Sequence, residues 1–511
     1  MKLKRFFTLA LALCMIAGLL AGCGDKSNDP GTTEKDTLNV ALTDEPDYLS
    51  TCDTDSLQCA QMNLLTYNGL TRIDMKTLQP ELDLAESYSQ DSDTEWTFVL
   101  KQGVTFHNGD TLTAEDVKAS IEYAKSYDRT STYTSAISEV QVVDDNTVKI
   151  ITSVPAPNLL FDLGYHFNCI LPHSLIESGN DFNANPVGTG PYKFVERKEG
   201  EYVKLEANEN YWGGTVATKY LEMRVVPEAS QRSTLLETGE IDIAYDVPPS
   251  DVERLNTNEA TAVLSAPSFK VFYVTINCNS GTKALNDSRV RQAIEYAIDK
   301  DALCSSVMYG YATPASSLVG PGVFGYDDSA TANIYNIEKA KELLSAAGYP
   351  NGFEMSVWVQ SADQTRQEAC VVLQDMLSEV GITVSVEPMD GTVMDDTIVK
   401  GGDFDACSSM YYNLMGDADY VLYSNISPES TSNLSHYNNP DVMAKLLAAR
   451  SLTDDAERAA VYKEISSIMA VDRPYIPLWA YQNLVGVRSG VSVFQLNPIT
   501  AYRYENVANG K

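Results

Sequence analysis

The chain is short of positive charge, of histidine and of long apolar runs, and each shortage excludes something. Its 37 lysines and arginines face 70 aspartates and glutamates, a formal charge of −33. Such a surface repels nucleic acid and anionic lipid headgroups, so no nucleic-acid partner is expected. The four histidines, His107, His166, His173 and His436, show no metal-ligand spacing, and no metal is expected. Nine cysteines include no CxxC pair and no dense framework. With Cys14 and Cys23 in the N-terminal leader, seven are left, so at least one thiol is unpaired and disulfides do not hold the fold together. A local Cys52–Cys59 bridge is the one pairing left open. GxSxG, HExxH and P-loop signatures are absent. The segment Gly320 to Gly325 fits GxGxxG, yet Pro321 sits inside it and no helix signal follows, which argues against a dinucleotide site. Neither enzymatic activity nor a cofactor is expected.

What is present starts at the N-terminus. Lys2, Lys4 and Arg5 precede an apolar run from Phe6 to about Leu20, and Leu20, Ala21, Gly22 and Cys23 close it. This is a secretory signal, residues 1–23, too short in its apolar part for an easy bilayer span of roughly 20 residues. Its end resembles a bacterial lipobox, which implies that Cys23 carries lipid and anchors the protein to the outer face of the membrane. Residues 24–36 are polar, contain Gly and Pro and lack periodicity, so they read as a flexible tether. No later stretch approaches about 18 apolar residues in a row, so the lipid is the only expected membrane contact. The length beyond the leader suffices for two to four domains.

Strand and helix signals interleave along the rest. The run from Leu38 alternates as a strand, and Trp96 to Leu100 and Thr147 to Ile151 read as strands around a helix opened by Thr113 with Asp116 as its capping-box acid. Tyr192 and Tyr202 begin the arms of a hairpin, and a helix near Gln231 to Glu237 stops at Gly239. Further on, Val290, Ile294, Ala297 and Ile298 make one apolar stripe. The clearest periodicity is Ala369, Val372, Leu373, Met376, Leu377 and Val380, an amphipathic helix that must lie on a sheet. Two more helices fall between Asp441 and Met469, and Tyr475 opens a late strand. The pattern is that of α/β lobes, with strand pairing undetermined. In VGTGPYKF, Gly188, Gly190 and Pro191 suit either a crossing between lobes or a tight turn.

The stretch DFDACSSMYYNLMGDADYVLYSN, from Asp403 to Asn425, is the centre of the functional reading. Alternation from Phe404 to Ser409 suits a strand, which then breaks into Tyr411, Tyr412 and Asn413, a turn at Gly416, and the acids Asp417 and Asp419. Aromatics followed by carboxylates at a strand end suit a ligand floor, in which a partly desolvated carboxylate seeks a cation such as a substrate ammonium group.

Several segments in order resemble the family 5 extracellular solute-binding proteins of ABC importers: the lipobox at Cys23, FHNGDTLTAEDVKASIEYA from Phe106, VGTGPYKFVE from Val187, NENYWGG from Asn208, RVRQAIEYAIDKDAL from Arg289 and AKELLSAAGYPNGF from Ala340. The resemblance implies a two-lobed periplasmic-binding-protein-like α/β fold of the large three-domain, type II variety with a hinge. Residues 37–70, 187–268 and 480–511 would form domain I, 71–186 domain II and 269–479 domain III. In peptide-binding members a Trp precedes by three residues an Asp that pairs with the peptide ammonium. Asp417 matches that acid with Leu414 in place of the Trp, and Asp419 is its rival. The other implied ligand contacts are Tyr411, Tyr412, Met415, Thr43, Asp44, Glu45, Tyr273 and Asn277.

The expected function is a lipid-anchored, monomeric binding protein that captures short peptides between its lobes and delivers them to ABC permease subunits. The alternatives are a metal chelate, a sugar or another polar metabolite as ligand, or a surface sensor in place of an importer component.

Overall fold

The computed structural model describes residues 36–53, 56–127, 134–414 and 416–510. The leader, the lipobox Cys23 and Met415 lie outside the described residues. One mixed sheet of eleven strands runs through both lobes. From one edge to the other it is built from Thr383–Met389, Glu354–Gln360, Ala406–Tyr412, Thr261–Ile276, Tyr475–Arg488, Ile243–Ala244, Thr37–Leu42, Tyr220–Val225, Tyr202–Ala207 and Tyr192–Lys198, with Ala312–Pro314 beside Tyr475–Arg488.

Two long antiparallel strands hold the lobes together. Thr261–Ile276 has 16 residues and Tyr475–Arg488 has 14. Thr261 to Pro267 pair with Arg488 to Gln482, and beyond a register break Val271 to Thr275 pair with Ala480 to Tyr475. The register breaks between Pro267 and Val271, where the proline has no N–H to give to the ladder. The register shifts once more between Phe272 and Tyr273, so the ladder that joins the two long strands is interrupted twice.

In the lobe that follows Val271, apolar residues alternate to both faces of the sheet. Phe272, Val274, Ile276 and Trp479 pack under the helices Ser288–Tyr296, Lys300–Val307 and Gln364–Ser378. Val271, Tyr273 and Tyr475 face the helices Ala418–Ile426, Pro440–Ala449 and Asp455–Asp472. Helix Gln364–Ser378 buries Ala369, Cys370, Leu373 and Leu377, and Asp363 caps it by accepting from the Arg366 N–H at 2.9 Å. A separate antiparallel sheet of Ala85–Ser92, Glu95–Leu100, Thr147–Thr152 and Ile137–Asp144 carries the helix Ala114–Lys125. The Thr113 N–H donates to Asp116 Oδ2 at 2.7 Å, closing the capping box.

The VGTGPYKF segment packs tightly against two earlier parts of the chain. It lies against the end of the helix Leu57–Thr66: the Gly190 N–H donates to the Thr66 carbonyl at 3.0 Å, and the Gly188 carbonyl accepts from the His107 N–H at 2.8 Å. A Cβ at Gly188 would stand 2.3 Å from the Thr66 oxygen and one at Gly190 would stand 2.4 Å from the Thr66 carbonyl carbon. Close approach of two backbones is the reason for glycine here. Cys52, Cys59, Cys169, Cys278, Cys304, Cys370 and Cys407 are all thiols, so Cys52 and Cys59 form no bridge. Among the described residues no helix is long and apolar enough to cross a membrane.

Candidate functional site

The strand Ala406–Tyr412 pairs antiparallel with Lys270 to Ile276 and includes Tyr411 and Tyr412, which the alternation had left beyond its end. Gly416, at φ 67°, turns the chain into the helix Ala418–Ile426, which Asp417 caps by accepting from the Asp419 N–H at 2.9 Å. Each acid already has a cation. Arg458 Nη1 is 2.7 Å from Asp417 Oδ2, and Arg450 Nη2 is 2.7 Å from Asp419 Oδ2. The Asp417 and Asp419 side chains are 13% and 9% exposed, so neither is a solvated acid and neither is a lone carboxylate. Burial pushes the Asp417 carboxyl up, against the pull of Arg458.

A third carboxyl faces them from a distant part of the chain. Asp162, in the helix Leu159–Leu163, accepts a hydrogen bond from the Tyr420 hydroxyl at 2.8 Å. Beside it Leu414 and Tyr420 pack against Cys59, Ala60, Tyr165 and Phe167. Burial pushes the Asp162 carboxyl up to about 7; Tyr420 and Arg450 oppose the shift, and Asp419 and Asp417 add to it. No signal in the sequence around Asp162 marks it, because its surroundings come from 258 residues away.

A second cluster of charged and aromatic groups lies beside the register break between Pro267 and Val271. Lys270 is buried there with its Nζ 3.6 Å from Asp246 Oδ1, 4.4 Å from the centre of the Tyr481 ring and 5.1 Å from that of Tyr412. Arg366 lies close enough for its charge to act on both tyrosines, and it donates to Asp363 Oδ2 and Gln360 Oε1, each at 2.6 Å. Asp246 also lines a depression with Thr43, Gln58, Asn483, Thr500 and Tyr502. Gln58 Nε2 donates to Thr43 Oγ1 and Asp44 Oδ2, both at 3.3 Å. Thr43 thus lines this depression, Gln58 ties Asp44 to it, and Tyr412 reaches it only by way of Lys270.

Other expected contacts lie elsewhere. Both carboxylate oxygens of Glu45 hold the Tyr192–Ala207 hairpin: Oε1 accepts from Arg197 Nη2 at 2.7 Å and Oε2 from the Gly200 N–H at 2.9 Å. Tyr273 is core, 4% exposed, with its hydroxyl donating to Asn425 Oδ1 at 3.0 Å. Asn277 closes a strand end by donating to the Phe404 carbonyl at 2.8 Å. Tyr411 points to the face opposite Tyr412, where it packs with the helical core. Alternation sends neighbouring strand residues to opposite faces, so an aromatic pair cannot floor one cleft. Lys270, Arg366, Asp246 and Tyr481 escaped the sequence reading. A lysine inside the apolar run FKVFYVTI was the available signal for the first of them.

The sequence model of a known family, described as bacterial extracellular solute-binding proteins, family 5 middle, matches residues 79–433. The glutathione-binding protein GsiB of Pectobacterium atrosepticum is 32% identical over 455 residues, 86% of this chain and 88% of its own. Among solved structures, the periplasmic binding protein DppA of Helicobacter pylori in complex with the peptide STSA superposes with a TM-score of 0.81 at 25% identity, covering 93% of this chain and 98% of its own. NikZ of Campylobacter jejuni in complex with Ni(L-His) gives a TM-score of 0.79 at 26% identity, covering 90% and 95%. A two-lobed body hinged on paired strands, polar groups facing each other across the junction, and a family match over most of the chain lead to one conclusion. The chain belongs to the family 5 bacterial extracellular solute-binding proteins, and is a non-enzymatic substrate-binding protein of an ABC transporter that works outside the cytoplasm.

Proposed function

We propose that the protein captures a short peptide between its lobes and passes it to the permease of an ABC importer. The observation that carries this reading is the excess of carboxyl groups where the lobes meet: Asp162, Asp417 and Asp419 surround Tyr420, and two arginines answer the three acids. A buried carboxyl with no cation takes up a proton, and a peptide ammonium group satisfies the same carboxyl when it displaces that proton. Asp162, which among the described residues has no ion pair of its own and feels Arg450 only at a distance, is our choice for that contact. Asp417 and Asp419 set the field around it. Thr43, Asp44 and Tyr412 border the hinge end of the cleft, where an extended main chain can pair whatever its side chains, which is compatible with a broad range of peptides. The peptide and glutathione ligands of the relatives support the same class. We further propose that Cys23 is lipidated, that residues 24–36 tether the body to the membrane, and that the protein acts as a monomer.

Native mass spectrometry of protein purified without refolding, followed by calorimetry with glutathione and alanine di- to tetrapeptides, tests the reading. The expected result is a copurifying peptide and tighter binding of free-amine peptides than of their N-acetylated forms. Copurification of a sugar, with no peptide bound, overturns it.

A further inference from the structure

Asn63 and His166 are 0% and 5% exposed, and among the described residues Asn63 Nδ2, Asn63 Oδ1 and His166 Nε2 have no hydrogen-bond partner. Buried amides are almost always satisfied, and one with both atoms unsatisfied lowers stability. Both side chains line one recess, at the inner end of the helix Leu57–Thr66, together with Tyr165, Arg72, Asp83 and Arg503.

The recess is lined by two guanidinium groups and one carboxylate, in a chain whose acids outnumber its bases 70 to 37. Arg72 is engaged, with Nε 2.5 Å from Glu81 Oε1 and Nη1 3.4 Å from Asp83 Oδ1. Asp83 is engaged as well, since its Oδ2 accepts from Asn68 Nδ2 at 2.9 Å. Arg503 is held less closely: its one ion-pair contact among the described residues is Glu505, at 3.5 Å, while its charge also acts on Asp83 and His166 across the recess. Burial, and after it the Arg503 charge, hold the His166 imidazole down to about 3, so the ring is neutral and can offer one N–H. An amide NH2, an imidazole N–H and a guanidinium in one recess are a donor set for a carboxylate.

We infer that this recess holds the carboxylate of the bound solute. The inference rests on the peptide reading above and extends it by assigning the opposite end of the ligand. Tyr165 connects the two ends, since it lines the recess and also packs with Leu414 and Tyr420 beside Asp162. His166 stands four positions after Asp162, at most ~14 Å of extended backbone, so a solute that spans both groups is a short peptide.

The test is calorimetry on the full chain with alanine di- to tetrapeptides and glutathione, each as the free acid and as the C-terminal amide. Wild type is expected to bind the acids at least tenfold more tightly than the amides. Asn63→Leu and Arg503→Gln are expected to bring that ratio to about one by weakening the acids and leaving the amides unchanged. Asn63→Leu is also expected to keep or raise the melting temperature, because it removes an unsatisfied buried amide; a merely structural asparagine would lower it. If Arg503→Gln fails to fold, Asn63→Leu decides alone. An acid-to-amide ratio that survives Asn63→Leu overturns the recess assignment and leaves the peptide reading standing. Absence of binding of every free-amine peptide by wild type overturns both.

Discussion

Arg458 is 5% exposed, its Nη1 is 2.7 Å from Asp417, and its guanidinium carbon is 4.1 Å from the centre of the Phe324 ring. Replacing it by leucine fills similar space but leaves a buried carboxylate without its cation, which costs about 3–5 kcal/mol. Arg458→Leu is therefore expected to lose that much stability in urea unfolding at pH 7, and to lose less at pH 4.5. The sign follows from Asp417: burial already raises its carboxyl, removal of Arg458 raises it further, and a protonated acid needs no counter-ion. A penalty equal at both pH values would show that the arginine acts by packing alone. Asp417, Asp419 and the turn at Gly416 could be read in the sequence because local spacing marks them. Arg458 and Arg450 could not, since they stand 41 and 31 residues further on, and an apolar stripe on a helix does not say what its polar face meets.

At the scale of elements, local rules carried most of the reading. Thr113 and Asp116 open their helix as a capping box, and Gly239 ends its helix in the left-handed region at φ 79°. Tertiary pairing carried the rest. Pro267 and Ser265 look like the end of a strand, yet the strand continues through them because the partner Tyr475–Arg488 continues on both sides of the register break. The parallel pairing of Thr37–Leu42 with Tyr220–Val225 joins segments far apart in the chain, and periodicity has no term for that. The glycines of VGTGPYKF were legible as special but their reason was not, because the Thr66 carbonyl they accommodate belongs to another element. Gly190→Ala is expected to destabilise the protein by roughly 3 kcal/mol, because its Cβ meets backbone that cannot rotate away. Circular dichroism melts check this, and a melting temperature equal to wild type would refute the close-approach account.

On the proposed function, closure of the lobes is tied to protons through Asp162. The groups around this carboxyl are Tyr420, Asp417, Asp419 and Arg450, and burial raises it to about 7; an aspartate released from them by opening of the lobes is expected to titrate near the ordinary value of about 4. Between those values the closed form holds a proton that the open form does not. Without ligand, closure is then favoured fully below about pH 4, loses ground as pH rises from about 4 to about 7, and changes no further above that. Small-angle scattering across this range is expected to show the ligand-free protein expanding with pH, and Asp162→Asn abolishing the trend. For a free-amine peptide the dependence runs the other way, since its ammonium group must displace the proton: affinity is expected to fall up to about tenfold for each pH unit below 7 in wild type and to stay flat in Asp162→Asn. A wild-type affinity indifferent to pH between 5 and 7 would mean that the solute never touches Asp162, and would move the positive end of the ligand to another part of the junction.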